Sequence, residues 1–135
     1  MAGYSATPLW KKLGYKPGMT AHLDEVPANY LAMLALPAEF SVHWAKGVNP
    51  QVGLVHLFSS SRSALRAKLM SFRKAMPSHG AIWVSWPKKS SGLASDITED
   101  VVREIALPLG LVDIKVCAVD EVWSGLKLMI RKELR

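Results

Sequence analysis

The chain has one cysteine, Cys117, in 135 residues. No internal disulfide can form, so the fold must rest on a hydrophobic core. The four histidines, His22, His43, His56 and His79, show no metal-ligand spacing, and a single cysteine adds none, so no metal site is expected. Long apolar runs are also missing. VPANYLAMLALPA (26–38) is interrupted by prolines and is too short to span a bilayer. MAGYSATPLWKK, at the start, lacks a basic region followed by an apolar block, so no secretory signal is visible. A soluble cytoplasmic protein with no membrane partner is the expectation. There is no Walker-type phosphate loop, and SSSRS (59–63) lacks the glycines that flank a hydrolase nucleophile. No internal repeat, low-complexity tract or linker divides the sequence. One domain, 1–135, follows.

What is present is globular in composition: half the residues are apolar and 21% are charged. Seventeen Lys and Arg stand against eleven Asp and Glu, a formal charge of +6. Such a balance favours an anionic ligand or nucleic acid as partner. The basic residues are spread along the chain, and the oligomeric state is left open.

The pattern predicts alternating strands and helices. Thr7-Pro8 before LWKKLG reads as the start of a short helix, with Gly14 as its stop. MTAHLDEV (19–26) and FSVHWA (40–45) are candidate strands, with a short helix at 28–35 between them. VGLVHLF (52–58) and AIWVSW (81–86) are apolar without alternation, as strands covered on both faces are. Between them, SSSRSALRAKLMSFRKAM (59–76) is amphipathic, with Leu65, Leu69, Phe72 and Met76 on one face. Asp96 and Glu99 resemble a capping pair for a further helix carrying Val101, Val102, Ile105 and Ala106 inward. LVDIKVCAV (111–119) alternates, with Val112, Ile114, Val116 and Ala118 on the apolar side and Asp113, Lys115 and Cys117 on the polar side. LKLMIRK (126–132) alternates too, and the two should pair antiparallel. The sum is an α/β, Rossmann-like mixed sheet ending in an antiparallel hairpin. That layout is analogous to the class I methyltransferase topology.

The segments GYSATPLWKKLGYKPG (3–18), WVSWPKKSS (83–91), EDVVREIALPLGLVDIKVCAVDE (99–121) and WSGLKL (123–128) resemble a family of short bacterial proteins catalogued as a domain of unknown function. The resemblance implies a small methyltransferase-like α/β fold. It implies no activity, and no catalytic residue is carried over.

In open α/β sheets ligands sit beyond the carboxyl ends of the parallel strands. That edge is expected to gather Asp24, Glu25, Trp44, Lys46, Ser59, Ser60 and the following helix N-terminus, then Trp86, Pro87, Lys88 and Lys89, with Asp120, Glu121, Trp123 and Ser124 from the hairpin tip. Lys88 and Lys89 supply point charges for an anion, Ser90, Ser91 and Gly92 supply donors, and a tryptophan can stack on a base. Against this stands a plainer reading. Trp83 is core, the lysines keep a turn soluble, and Asp120 and Glu121 form a solvated tip with an ion pair to Lys88 or Lys89. The strand histidines are then structural, and Cys117, with no adjacent base, is no nucleophile.

Adenosylmethionine enzymes of this layout place a glycine-rich turn after the first strand, whereas HLDEVPANY (22–30) has no glycine and contains Pro27. The acid expected after the second strand is replaced by Trp44-Ala45-Lys46. The leading expectation is therefore a non-catalytic methyltransferase-like domain that binds an anionic ligand or partner, with no cofactor assigned. A minimal adenosylmethionine-dependent methyltransferase and a structural or interaction protein are the alternatives.

Overall fold

A computed structural model describes residues 7–135, so residues 1–6, which include the start of the family-like segment 3–18, lie outside the described residues. Strands β1 (Thr20–Asp24), β2 (His43–Ala45), β3 (Leu54–Phe58) and β4 (Ala81–Pro87) run parallel. Strands β5 (Leu111–Ala118) and β6 (Trp123–Ile130) form a hairpin, and β6 lies antiparallel between β4 and β5. The sheet order is β2-β1-β3-β4-β6-β5. This is the Rossmann-like α/β arrangement that the alternation of strands and helices requires.

The continuous apolar strands are the central ones. Every residue of β3 and of β4 is buried. Helices α1 (Leu9–Leu13) and α2 (Tyr30–Leu34) cover one face of the sheet, over Leu54, Phe58, Ala81 and Trp83. Helices α3 (Arg62–Ala75) and α4 (Glu99–Ala106) cover the other, over Val55, Leu57, Ile82, Val84 and Trp86. Trp83 and Trp86, three residues apart in a strand, thus point to opposite faces. Trp83 is core, and its indole N–H donates to the Leu13 carbonyl at 2.8 Å.

Side chains near the helix ends fix where the long helices begin. Ser61 accepts from the Ala64 N–H, and Thr98 accepts from the Val101 N–H. The expected pairing of Asp96 with Glu99 is corrected, because α4 starts at Glu99 and Thr98 is its cap. The Asp96 carboxylate instead accepts the Arg62 N–H at 2.7 Å and closes the N-terminus of α3. In α1, Pro8 occupies the cap position, and Gly14 ends the helix at φ 90°.

The strict alternation expected in β5 is corrected as well. Asp113 pairs with Leu128 and Lys115 pairs with Lys127, so Ile114 is one extra residue, a bulge. The bulge reverses the facing of everything after it. Cys117, assigned to the polar side, is buried under α1, while Ile114 and Val116 are about half exposed. Gly125 lets the hairpin close here, because a Cβ would stand 3.2 Å from Val119 and 3.3 Å from Trp83. Among the described residues, no helix is long and apolar enough to cross a membrane.

Candidate functional site

A cleft of about 410 Å³ opens at the carboxyl edge of the parallel strands. Glu25 follows β1, Phe58 ends β3, and Ser59, Ser60 and Ser61 lead into α3. Ala64 and Lys68 come from the first turns of α3, and Trp123 opens β6. Phe58 and Trp123 meet edge to face with ring centroids 5.0 Å apart. Of the residues expected at this edge, Glu25, Ser59, Ser60 and Trp123 line the cleft, and the expected helix N-terminus adds Ser61 and Ala64, whereas Trp44 and Lys46 do not line it. Phe58 and Lys68 were not anticipated. For Lys68 a sequence signal existed, since it lies two turns into a helix that leaves the same edge.

The backbone at Glu25 answers the missing glycine. Glu25 has φ 56°, the left-handed conformation that glycine usually supplies. The turn after β1 is therefore made, at a strain of about 1–3 kcal/mol for a residue with a Cβ. The neighbouring Asp24 forms an ion pair with Lys68 and lies 3.9 Å from His22 Nε2. Asp24 thus anchors Lys68 at the floor of the cleft. Glu25 is exposed and has no ion-pair partner among the described residues.

Below the cleft, on the α1/α2 face, runs a buried hydrogen-bond chain. The Tyr15 and Tyr30 hydroxyls are 2.7 Å apart, Tyr30 Oη is 2.7 Å from His56 Nδ1, and His56 Nε2 is 2.7 Å from Ser85 Oγ. Either sense of donation satisfies all four groups. Burial holds the His56 imidazole neutral, with its pKa lowered to about 3, and pushes both phenols upward. Tyr30 is the first residue of α2, so this chain ties the far end of the Glu25 turn to β3 and β4. His56 stacks on Phe58 at 4.5 Å, which places the chain one ring away from the cleft.

The other expected residues are engaged elsewhere. Trp86 is corrected to a core residue of the α3/α4 face, and Ser124 is its cross-strand partner there. Trp86 and Trp123 therefore stand on opposite faces and cannot share a ligand. The Lys88 ammonium donates to the Asp120 carbonyl at 2.7 Å. The Asp120 carboxylate accepts the Val122 and Trp123 N–H groups, both at 2.8 Å. The hairpin tip does sit beside WPKK, but Lys88 reaches a backbone carbonyl and not the expected carboxylate. Lys89 and Glu121 are exposed and do not line the cleft. No group of three or more metal-ligating side chains exists among the described residues.

No protein-family model matches the chain, and no curated protein matches it. Solved structures do. The chain is similar to a SAM-dependent methyltransferase from Aquifex aeolicus, with a TM-score of 0.61 at 16% identity over 89% of this chain and 86% of that one. LaPhzM gives a TM-score of 0.63 at 14% identity over 89% of this chain and 52% of LaPhzM. PigF with SAH gives 0.59 at 11% identity over 92% of this chain and 61% of PigF. The chain thus spans little more than half the length of these last two. The fold is methyltransferase-like and Rossmann-like. These neighbours overturn the expectation of a non-catalytic domain, because the structures that share the fold include a SAM-dependent methyltransferase and SAH- and SAM-bound proteins.

Proposed function

We propose that this protein binds adenosylmethionine in the cleft between Glu25, Phe58 and Trp123 and transfers its methyl group to an acceptor. The observation that carries the reading is the position of the cleft, at the carboxyl edge of β1 and β3 in a chain that matches the Aquifex aeolicus enzyme over most of both lengths. The glycine objection loses its force, because Glu25 makes the left-handed turn without glycine.

The side chains suit such a ligand. Phe58 and Trp123 offer ring faces and edges to a purine. Glu25 offers a carboxylate to ribose hydroxyls, the role an acid plays in related nucleotide sites. Ser59 and Ser60 offer hydroxyls, and the Lys68–Asp24 ion pair offers polar contacts to the amino-acid end. The α3 N-terminus contributes less than in a phosphate site, since Asp96 already takes the Arg62 N–H. When bound, the ligand supplies an electrophilic methyl group on a sulfonium. The chain's part is to hold it, exclude water beside the two aromatic rings and orient an acceptor. A cytoplasmic location belongs to the same proposal.

Calorimetric titration with adenosylmethionine tests this. One site is expected, weakened about tenfold in Glu25→Gln through loss of a charge-assisted hydrogen bond, about 1.5–3 kcal/mol for such bonds. A flat titration at millimolar ligand removes the proposal.

A further inference from the structure

On β5 and β6, Lys115 stands directly opposite Lys127. Like charges in such positions destabilise a sheet. The bulge at Ile114 produces the pairing. Without it Lys115 would share a face with Asp113, which binds Arg103 at 3.0 Å. Lys127 also lies beside the end of α1, its Nζ 3.9 Å from where a Cβ on Gly14 would stand. Lys12 and Lys16 flank Gly14 two residues to either side. Burial, then Lys115 and Lys16, push the Lys127 ammonium downward, and Lys12 and Lys115 both act on the Cys117 thiol. Lys115 and Lys127 thus meet across the strands, with Lys12 and Lys16 on either side of the Gly14 turn that Lys127 approaches.

None of the four ammonium groups has an ion-pair or hydrogen-bond partner among the described residues. The acids that hold cations do so elsewhere. Glu99, Asp100 and Asp113 surround Arg103, Glu104 meets Arg62, and Asp24 holds Lys68. Four cations left without counter-charge in a folded chain are a feature that an external polyanion neutralises.

We propose that Lys12, Lys16, Lys115 and Lys127 dock the phosphodiester backbone of a single-stranded nucleic acid, and that the docked strand presents a base to the cleft beside Trp123. The second clause rests on the methyltransferase reading and names the class of its acceptor. Trp123 and Lys127 alternate onto the same face of β6, as do their partners Pro87 and Trp83 on β4. They lie four residues apart, about 14 Å at the rise of a strand. An aromatic ring beside a basic surface is how proteins hold single strands, with bases stacked and phosphates on cations. A lipid surface fits less well, because neither α1 nor β6 carries an exposed large apolar side chain to insert, and the exposed Val116 of β5 alternates to the face opposite Lys115.

Fluorescence anisotropy with a labelled single-stranded RNA, and a DNA of the same sequence, each about 12 nucleotides long, tests the surface. Neutralising four phosphates predicts a log–log slope of affinity on salt of about −3. Lys115→Ala with Lys127→Ala should weaken binding at least about tenfold at about 100 mM salt and roughly halve that slope. Lys115→Arg with Lys127→Arg should keep affinity within about threefold, since the phosphate contact needs only the charge. Thermal melting confirms that each variant folds. Affinity indifferent to salt, or equal in the alanine variant, overturns the proposal, as does tighter binding to phosphatidylserine vesicles than to either oligonucleotide. Adenosylmethionine binding, read separately by calorimetry, should be unchanged in the alanine variant. If oligonucleotide binds through these lysines and adenosylmethionine does not bind at all, the surface stands and the acceptor clause falls with the cleft reading.

Discussion

The two faces of the sheet solve the same burial problem with different chemistry. Under α3 and α4 the core is apolar throughout its centre, from Leu57 and Leu69 to Leu126 and Leu128. On its helices Arg62, Lys68 and Arg103 each meet an acid, while Arg66 and Lys74 meet none among the described residues. Under α1 and α2 the core carries Tyr15, Tyr30, His56 and Ser85 in one hydrogen-bonded chain. Its rim cations, Lys12, Lys16, Lys115 and Lys127, are unmatched. The aromatic wall of the cleft, Phe58 and Trp123, belongs to this second face. A buried polar chain and the directly opposed Lys115 and Lys127 both cost stability, so their concentration on one face marks where the fold gives up stability for function.

The largest expected effect breaks the chain on the polar face. His56→Leu leaves the Ser85 hydroxyl buried without a partner and the Tyr30 hydroxyl with Tyr15 alone. At about 1–3 kcal/mol for the orphaned group and about 0.5–1.5 kcal/mol for the other lost hydrogen bond, a loss of about 2–4 kcal/mol is expected in urea unfolding. Replacing the whole chain (Tyr15→Phe, Tyr30→Phe, His56→Leu, Ser85→Ala) should recover much of that loss, because no orphan then remains. On the apolar face Leu69→Ala should cost about 2–5 kcal/mol by cavity formation alone, with no such rescue. If the fourfold variant is the less stable of the two, the chain stabilises by more than mutual satisfaction.

Acid distinguishes the faces next. Folded His56 stays neutral down to about pH 3, while the unfolded chain takes up a proton near the ordinary value of 6.5. The unfolded state therefore binds the extra proton between these values. Stability is complete above pH 6.5 and falls by up to about 1.4 kcal/mol per pH unit as the pH drops toward 3. Unfolding free energies from pH 7 to pH 4 should show this component in the wild type and lose it in the fourfold variant. An identical slope in both assigns the acid sensitivity to other groups.

Smaller effects concern the cleft and the lysines. Glu25→Gly should leave stability unchanged or raise it by about 1 kcal/mol, since the left-handed strain is released at some cost in chain entropy. It should also weaken adenosylmethionine in calorimetry, because the carboxylate goes. Lys127→Ala should be neutral or stabilising by a few tenths of a kcal/mol in thermal melts, relieving the contact with Lys115. A clear destabilisation would mean that the lysine stem packs more than its charge repels.

Much of the fold was legible because the apolar patterns of β3, β4 and α3 have a single reading. The bulge in β5 was not. One inserted residue leaves the local alternation intact and is fixed only by pairing with β6, yet it decides that Cys117 turns inward and Lys115 meets Lys127. The site was legible in part. Placing ligands at the carboxyl edge found Glu25, Ser59, Ser60 and Trp123. It erred on Trp86, whose odd spacing from Trp83 sends it to the far face. The tandem Lys88-Lys89 drew attention by adjacency, whereas the lysine cluster is assembled from positions more than 100 residues apart in sequence. The absence of glycine after β1 misled because a left-handed turn is a backbone state, and Glu25 adopts it.

The most direct test of the account is an amide chemical-shift map during titration with adenosylmethionine. Shifts concentrated at Glu25, at residues 58–64 and at Trp123, with α4 and the 3-10 turn Lys89–Ser91 unmoved, are the predicted result. No shift at millimolar ligand, or shifts centred on Lys88, Lys89 and Glu121, would contradict it.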